Sequence, residues 1–339
     1  MTFESIVNFF NSVGISVRGI SFEKDINAET DDIILTLSGS ANAISFYGDA
    51  GKIKKFKEIK SQSKSCNLNI GKASDAVKKE IHAGSFSYLT SNETMDRIAA
   101  NLYGSIITDS GNISLNVQDI KLCGTELNAN KSVTLEGLIT VLEDSTVAAG
   151  ETVLFSGDVI GNTSDNKKLT LKANAATPAL FTFSKFLGYT GAQDNPTAKP
   201  LGELSVESGR IYFEDKVNIN KPFIQLPAAE IYFKNDVVQN EASETGNVFS
   251  GKVAFNNTQN ITLSFNGPVT FDNATSNKNS FKDDQNLKDK LKNKNKKDNN
   301  NDDNEEDEKE EIDENINHED AINKLTDEIE KKLGASEDI

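Results

Sequence analysis

Short apolar-polar-apolar triplets return along the chain at a nearly constant distance. The first three occupy residues 113–115, 133–135 and 153–155, which gives a period of about 20 residues. After a gap, the register resumes with nearly the same step in the triplets 211–213, 231–233 and 253–255. Such a period is typical of repeat proteins, in which no repeat buries its own apolar side and neighbouring repeats stack to form the core. The pattern therefore predicts a stacked solenoid.

Each repeat has the composition of β-strands. Val, Ile, Thr, Phe and Tyr alternate with polar residues in short runs bounded by Gly, Asn, Asp and Ser, which favours strand over helix. After the triplet 133–135 come a second run, 139–141, and then Val147, so about three strands share a coil of about 20 residues. This spacing predicts an all-β, three-sided parallel β-helix. Its corners are expected at glycines, which permit positive φ and close backbone approach: Gly137, Gly150, Gly157 and Gly161.

The chain divides into four predicted parts. They are an N-terminal cap (1–30), the parallel β-helix (31–273, regular from about 111), a disordered charged linker (274–317), and an amphipathic helix with its tail (318–339). In the cap, apolar residues at helical spacing before Gly14 predict a short amphipathic helix that covers the first coil. A membrane-surface helix is the alternative, although the segment lacks the basic polar face of such helices. The apolar residues are Phe3, Ile6, Val7, Phe10 and Val13.

The early part of the predicted β-helix has no regular period. Residues 31–110 contain three strand-like runs at uneven distances: 35–37, 44–46 and 68–70. We interpret this part as irregular coils with inserted loops, helical at 74–83 and 93–102.

A second break interrupts the regular part. The distance from Val153 to Ile211 is close to three times the period of the coils. Between them lies a Phe-Thr-Phe run at 181–183, followed by a polar, proline-containing stretch. The loop 173–202 is therefore predicted to protrude from the stack.

The C-terminal part differs from the rest in composition. A basic stretch (282–297) and an acidic one (298–314) contain no aromatic residue. Such a segment buries too little apolar area to offset its ordering entropy, so it is predicted to be disordered. The helix that follows is too short to be stable alone, and it either docks on the solenoid end, pairs with another chain, or frays. Its apolar stripe is Ile322, Leu325, Ile329 and Leu333.

The charge of the chain is concentrated at this C-terminal end. The net charge is −16, and residues 282–339 carry 11 lysines against 21 acidic residues, so the remainder is only mildly acidic. The three arginines are Arg18, Arg97 and Arg210. A surface that binds phosphates would need a basic, arginine-rich stripe. Nucleic acid is therefore excluded as an expected partner.

Cysteine usage and hydropathy exclude further classes of protein. Cys66 and Cys123 are too few for a disulfide scaffold and lack zinc-site spacing, so they are predicted to be inert, with one disulfide as the alternative. No run approaches the roughly 20 apolar residues of a membrane span, so no transmembrane segment is predicted. Residues 1–13 lack the basic start of a secretory signal peptide, so the export route is not visible.

A longer motif runs through the regular coils. It comprises Leu-Asn-Ala-Asn at 127–130, Val-Thr-Leu at 133–135, Thr-Val-Ala-Ala-Gly at 146–150, Val-Leu-Phe-Ser-Gly-Asp-Val at 153–159, Leu-Thr-Leu at 169–171 and Phe-Thr-Phe at 181–183. Over about half the chain, this succession resembles the repeats of filamentous-haemagglutinin-like proteins and autotransporter passenger domains. The resemblance implies a right-handed parallel β-helix, a secreted or cell-surface location, and an adhesin role in bacteria. No secretion domain or C-terminal barrel is recognisable, so the chain resembles a partial or truncated passenger domain; a cytoplasmic fragment is the alternative.

The polar residues of the coils do not form an enzyme-like pattern. The triplet Glu214, Asp215 and Lys216 follows a strand and is predicted to be a solvated turn. His82 is assigned to an irregular loop and His318 to the start of the last helix, so neither belongs to a catalytic triad. Pectate-lyase-like β-helices carry dense carboxylates at outward positions, and this chain does not. Its outward positions are Asn116, Gln118, Thr134, Glu136, Ser156 and Asp158.

These patterns together predict a non-enzymatic, adhesin-like module. A rigid β-helix and its inserted loops would contact a host surface protein or glycan without any cofactor. No catalytic, cofactor-binding or metal-ligating residue is predicted, and the sequence names neither the binding residues nor the oligomeric state. Two alternatives stay open: an intracellular or effector-like interaction protein that acts through the charged tail and terminal helix, and a β-helix enzyme that acts on polysaccharides.

Overall fold

The computed structural model describes most of residues 1–271. The described ranges are 1–40, 42–63, 66–90, 98–162, 166–174, 179–255 and 261–271. The chain divides into two compact units, Met1–Asp284 and Gln285–Ile339, and all described residues belong to the first. The predicted charged linker (274–317) and terminal helix (318–339) lie outside the described residues.

The described part is a parallel β-solenoid of about 11 turns. Its strands form three stacks, called faces 1, 2 and 3, and within each face the strands of successive coils pair in parallel, in a few places through single bridging residues such as Ala50 and Leu187. Three longer strands bend around a corner and belong to two faces each. Glu80–Thr90 joins faces 2 and 3, and Ile113–Cys123 and Ser132–Glu143 join faces 3 and 1. The three-sided coil predicted from the spacing is confirmed.

The bounds of the remaining strands follow the three faces. Face 1 contains Thr2–Phe3, Ile20–Phe22, Ala43–Phe46, Asn67–Ile70, Ala99–Leu102, Val159–Gly161, Val217–Ile219, Val237–Gln239 and Leu263–Phe265. Face 2 contains Val7–Phe9, Ile26–Ala28, Ser105–Thr108, Glu126–Ala129, Ser145–Ala149, Lys168–Ala173, Glu203–Val206, Ile224–Gln225, Asn247–Phe249 and Val269–Phe271. Face 3 contains Val13–Val17, Ile34–Gly39, Phe56–Ser63, Thr152–Phe155, Leu180–Phe183, Gly209–Phe213, Ala229–Phe233 and Lys252–Phe255. An antiparallel hairpin, Tyr189–Ala192 with Asn195–Ala198, is separate from the three faces.

The register on face 3 follows the period of the triplets. Ile113 pairs with Val133, and Val133 pairs with Val153, as the triplets predict. The long gap after Val153 holds two coils and not the three expected from its length, because Val153 pairs with Phe181 and Phe181 pairs directly with Ile211. These two coils are longer than the regular ones because their turns are longer. The strand Leu180–Phe183 inside the predicted loop therefore belongs to the stack.

A ladder of phenylalanine rings fills the interior behind face 3. The centroid of the Phe213 ring lies 5.0 Å from that of Phe183 and 5.1 Å from that of Phe233. The ladder continues to Phe155 at 4.4 Å from Phe183, and to Phe255 at 5.7 Å from Phe233. All of these rings are buried except the half-buried Phe255. The inward phenylalanines expected from the triplets are therefore confirmed, with Phe183 as an additional member.

The prediction of an N-terminal helix is wrong. Residues 1–17 form the strands Thr2–Phe3, Val7–Phe9 and Val13–Val17, which are the first strands of faces 1, 2 and 3. Two members of the expected apolar helix face, Ile6 and Phe10, are 63% and 71% exposed. Pairing with the next coil decides the conformation here, because tertiary contacts override a short helical spacing.

The helices expected at 74–83 and 93–102 are also absent from the described residues. The first stretch runs into the strand Glu80–Thr90, and the second contains the strand Ala99–Leu102, with 91–97 outside the described residues. Apolar residues there alternate between buried and half-buried positions, as in a strand that packs one side against the core. The early part of the chain is thus built from the same coils as the rest, with unequal turns between them.

Candidate functional site

The outer surface of face 3 carries a row of side chains that runs across four successive coils. Leu154 pairs with Thr182, Thr182 with Tyr212, and Tyr212 with Tyr232. Residues on either side of each member point into the core, so these four alternate to the outside and are half-buried. We call Leu154, Thr182, Tyr212 and Tyr232 the tyrosine lane.

The two tyrosines of the lane lie against each other. Their ring centroids are 5.3 Å apart and the ring planes are inclined by 39°. Burial raises the pKa of Tyr232, and the nearby carboxylate of Glu214 raises it further, so its hydroxyl stays neutral around pH 7. The next position along the row is Ala254, which has only a methyl group. The lane therefore ends beside a small residue on the far side of Tyr232.

Charged side chains flank the lane on both sides. On one side, Arg210 pairs in register with Glu230, and Glu230 with Lys252. On the other side, Lys234 Nζ lies 2.7 Å from Glu214 Oε2, and this bond raises the pKa of Lys234. The lane is thus a strip one side chain wide with hydrogen-bonding groups along both edges.

Arg210 is unusual among these charged residues. Its side chain is half-buried, its Nε is buried without a hydrogen-bond partner, and it forms no ion pair with the part of the chain that the structure describes. A guanidinium carries five N–H donors in a planar fork, and unpaired buried donors are costly. The Nε itself is enclosed, so the donors of Arg210 that a ligand beside Tyr212 can reach are the terminal Nη groups, which have no hydrogen bond to the described residues.

A second candidate surface is an open trough of about 420 Å³ on face 2. The short side chains of Thr146, Ala148 and Thr170 lie at outward positions of adjacent strands. Around them, Asn174 Nδ2 donates to Asn128 Oδ1 at 2.7 Å, and Lys172 Nζ lies 3.9 Å from Glu207 Oε2. The remaining lining residues are Glu126, Asp144, Ser145 and Lys168. The lining of the trough is mostly polar and contains no aromatic side chain.

The hairpin Tyr189–Ala192 with Asn195–Ala198 is the part of the predicted loop that leaves the stack. Residues 191–195 are exposed, whereas the Tyr189 ring contacts Phe186 edge-on at 5.9 Å. At the tip, Gln193 Nε2 donates to Asp215 Oδ2 at 3.3 Å. The hairpin is thus anchored at its base, and its tip is exposed apart from the contact of Gln193 with Asp215.

Removing the hairpin tip should leave the solenoid folded. Thr190 and Thr197 are paired across the hairpin, so a two-glycine link can replace residues 191–196 without moving either strand. We expect the free energy of unfolding, measured by urea titration, to change by less than about 0.5 kcal/mol, because the removed side chains are largely exposed. A loss of several kcal/mol in urea titrations would instead show that the tip supports the coils.

The structure places the sequence-predicted polar residues apart from one another. His82 lies in the strand Glu80–Thr90 and not in a loop, with its Nε2 3.0 Å from Glu80 Oε2. Residues 214–216 form the predicted turn between two strands, but they are half-buried and Glu214 is paired with Lys234. His318 lies outside the described residues. The outward positions expected on the regular coils are confirmed as not buried: Asn116, Gln118, Thr134, Glu136, Ser156 and Asp158.

Both cysteines are free and buried, as expected, and the disulfide alternative is wrong. Cys66 Sγ lies 3.6 Å from the carbonyl oxygen of Arg18. Burial raises the pKa of the Cys123 thiol, and the carboxylate of Glu143 raises it further. Because the thiolate is the reactive form, this thiol is poorly reactive at neutral pH.

Known proteins do not supply a family for this chain. No protein-family model, curated protein or solved structure matches it. Among the described residues, no group of three or more His, Cys, Asp or Glu side chains is placed to hold a metal ion. No helix in the described ranges is long and apolar enough to cross a membrane.

The sequence patterns did not single out the tyrosine lane or the trough. The signal for the lane was present, because Tyr212 and Tyr232 each occupy the polar slot of an Ile-Tyr-Phe triplet in consecutive repeats. An aromatic residue in an outward slot of two neighbouring repeats predicts an exposed aromatic pair. The trough had no such signal, since its lining residues come from turns as well as strands.

Proposed function

We propose that the chain is a non-enzymatic, adhesin-like module that binds its partner through the outside of the solenoid. The observation that supports this is the continuous hydrogen-bonded register of the coils, which holds the tyrosine lane, the trough and the hairpin at set positions. Each strand is fixed by the coils on both sides, so its outward side chains are presented on a preformed surface. Binding to such a surface costs little ordering entropy.

The proposal includes a location and a class of partner. The repeats resemble those of secreted bacterial proteins, and on that basis the module acts at the cell surface or in the extracellular space. Its partner is a host surface protein or a glycan, and no cofactor takes part. The competing proposal is an interaction protein that binds through the charged tail and the stripe of residues 322–333.

Deleting residues 274–339 separates these two proposals. The buried core lies between Ile20 and Phe249, so we expect the shortened chain to keep its β-type circular dichroism and its urea midpoint. We also expect it to retain the binding of the full-length chain to intact host surfaces, measured side by side. If residues 274–339 alone capture a specific partner and the shortened chain captures none, the adhesin-like proposal is wrong.

A further inference from the structure

We propose that the tyrosine lane, together with Arg210, binds a linear oligosaccharide that lies along face 3. This inference rests on the proposed function, since it names the ligand class and the surface that an adhesin-like module would use. It goes beyond that function in assigning the contact to particular side chains. The side chains proposed to contact the sugar are Tyr212, Tyr232 and Arg210.

The lane offers the two kinds of contact that a sugar ring requires. A pyranose ring has faces of C–H groups and a rim of hydroxyls, so it needs an apolar surface with hydrogen-bonding groups beside it. Tyr212 and Tyr232 supply large rings with hydroxyl tips. Ala254, one strand beyond Tyr232, is small enough for a ring to approach that tyrosine from the side. The aromatic pair is therefore a platform for one or two sugar units.

Arg210 indicates that the ligand carries hydrogen-bond acceptors. Its guanidinium has no acceptor among the described residues, although it lies in register between Leu180 and Glu230. An apolar ligand over this site would bury the donors without a partner, which is unfavourable. Sugar hydroxyls accept such bonds, and the carboxylate of an acidic sugar would accept two in parallel. Glu230 on the neighbouring strand can accept bonds from further hydroxyls.

The dimensions of the lane favour a sugar chain over a protein. A stable protein interface covers about 800 Å² on each partner around a wide apolar centre that is depleted in charge. Here the apolar strip is one side chain wide, and charged residues lie on both edges: Arg210, Glu230, Lys252, Glu214 and Lys234. A protein that covered the strip would have to remove these charges from water. The desolvation free energy of the charges would exceed the free energy gained by burying such a narrow strip.

The repeat of the solenoid suits a polymer. Outward groups on face 3 recur at the strand spacing of about 4.8 Å along the stack. A chain of identical units can therefore contact successive coils in similar ways, from Leu154 to Tyr232. The trough on face 2 lacks an aromatic platform, so it does not offer the same combination of contacts.

The test uses the full-length chain and an array of linear neutral and uronic-acid oligosaccharides. We expect the native chain to bind at least one class, and the double variant Tyr212→Ala/Tyr232→Ala to lose about tenfold or more in affinity. Arg210→Gln should weaken the same binding, and the loss should be larger for uronic-acid chains if a carboxylate meets the guanidinium. Tyr212→Phe/Tyr232→Phe keeps both rings, so it should retain most of the affinity and shows that folding is intact.

Tyr47→Ala is the matched control. Tyr47 is another half-buried tyrosine on the outside, but it lies after a face 1 strand with Lys72 Nζ 4.1 Å from its ring centre. Its loss should leave sugar binding unchanged. Equal effects of Tyr47→Ala and the lane variants, or sugar binding that survives Tyr212→Ala/Tyr232→Ala, would overturn the inference.

The outcomes also separate this inference from the proposed function. Suppose the native chain binds no oligosaccharide but its solenoid captures a host surface protein. The lane inference then fails while the adhesin-like function stands, and loss of that protein with Tyr212→Ala would make the lane a protein-docking site. If the solenoid binds neither sugars nor host surfaces, both proposals fail.

Discussion

Replacing Phe233 with alanine should lower the free energy of unfolding by about 3–5 kcal/mol. The ring is 1% exposed, and its centroid lies 5.1 Å from that of Phe213 and 5.7 Å from those of Phe223 and Phe255. Its removal opens a cavity that the neighbouring coils cannot close without breaking their register. Urea titration followed by circular dichroism measures the change.

Phe10→Ala is the control for this substitution. It removes the same atoms from a side chain that is 71% exposed, so the free energy of unfolding should change by less than about 0.5 kcal/mol. A Phe233→Ala variant that unfolds at the urea concentration of the parent would mean that the ladder does not stabilise the stack.

Replacing Gly137 with alanine should destabilise the solenoid by about 3 kcal/mol or more. Gly137 lies where the strand Ser132–Glu143 turns from face 3 to face 1, with φ of +125°. An added Cβ would be 1.8 Å from the carbonyl oxygen of Val117 in the preceding coil, which is far inside contact distance. Both the backbone and the neighbouring coil must shift to accept it.

Gly14→Ala is the matched control for the corner glycine. Gly14 lies in the strand Val13–Val17, has no positive φ, and has no heavy atom within 4 Å of a built Cβ. Its substitution should change the midpoint little, or raise it slightly through the unfolded state. If both glycine variants unfold at the urea concentration of the parent, the corner does not need glycine.

The regular coils were predictable because one period controls both register and burial. In each triplet the outer residues face the core, so the pairing of Ile113, Val133 and Val153 and the burial of Phe213 and Phe233 follow from spacing alone. The length of the gap that follows the third triplet was misread, since turn lengths vary without changing the strands. Two long coils fill the same gap as three shorter ones.

The first coil was mispredicted for a different reason. Apolar residues at 3, 6, 7, 10 and 13 match a helix face, yet a strand pattern is present as well, with Val7 and Phe9 half-buried on either side of the exposed Asn8. Local spacing cannot decide between the two periods. The decision comes from strands of the next coil, such as Val7 pairing with Ile26, and that contact is not visible in a local window.

The candidate site was harder to predict than the fold. The outward tyrosines are visible in the triplets, but the absence of a partner for Arg210 depends on where each neighbouring side chain points. The charges that border the lane come from three strands, and only the register brings them together. Binding chemistry here is a property of the assembled surface.

The parallel register also determines how the molecule responds to mechanical tension. The hydrogen bonds between coils run along the stack, and each coil is held only by the coil before it and the coil after it. A force applied at one end therefore loads a single coil at a time, and each rupture releases one coil of chain. At about 3.3 Å per residue, a coil of about 20 residues releases roughly 66 Å. A tethered solenoid of this kind would lengthen in steps, and each step would absorb mechanical work before the attachment at its end breaks.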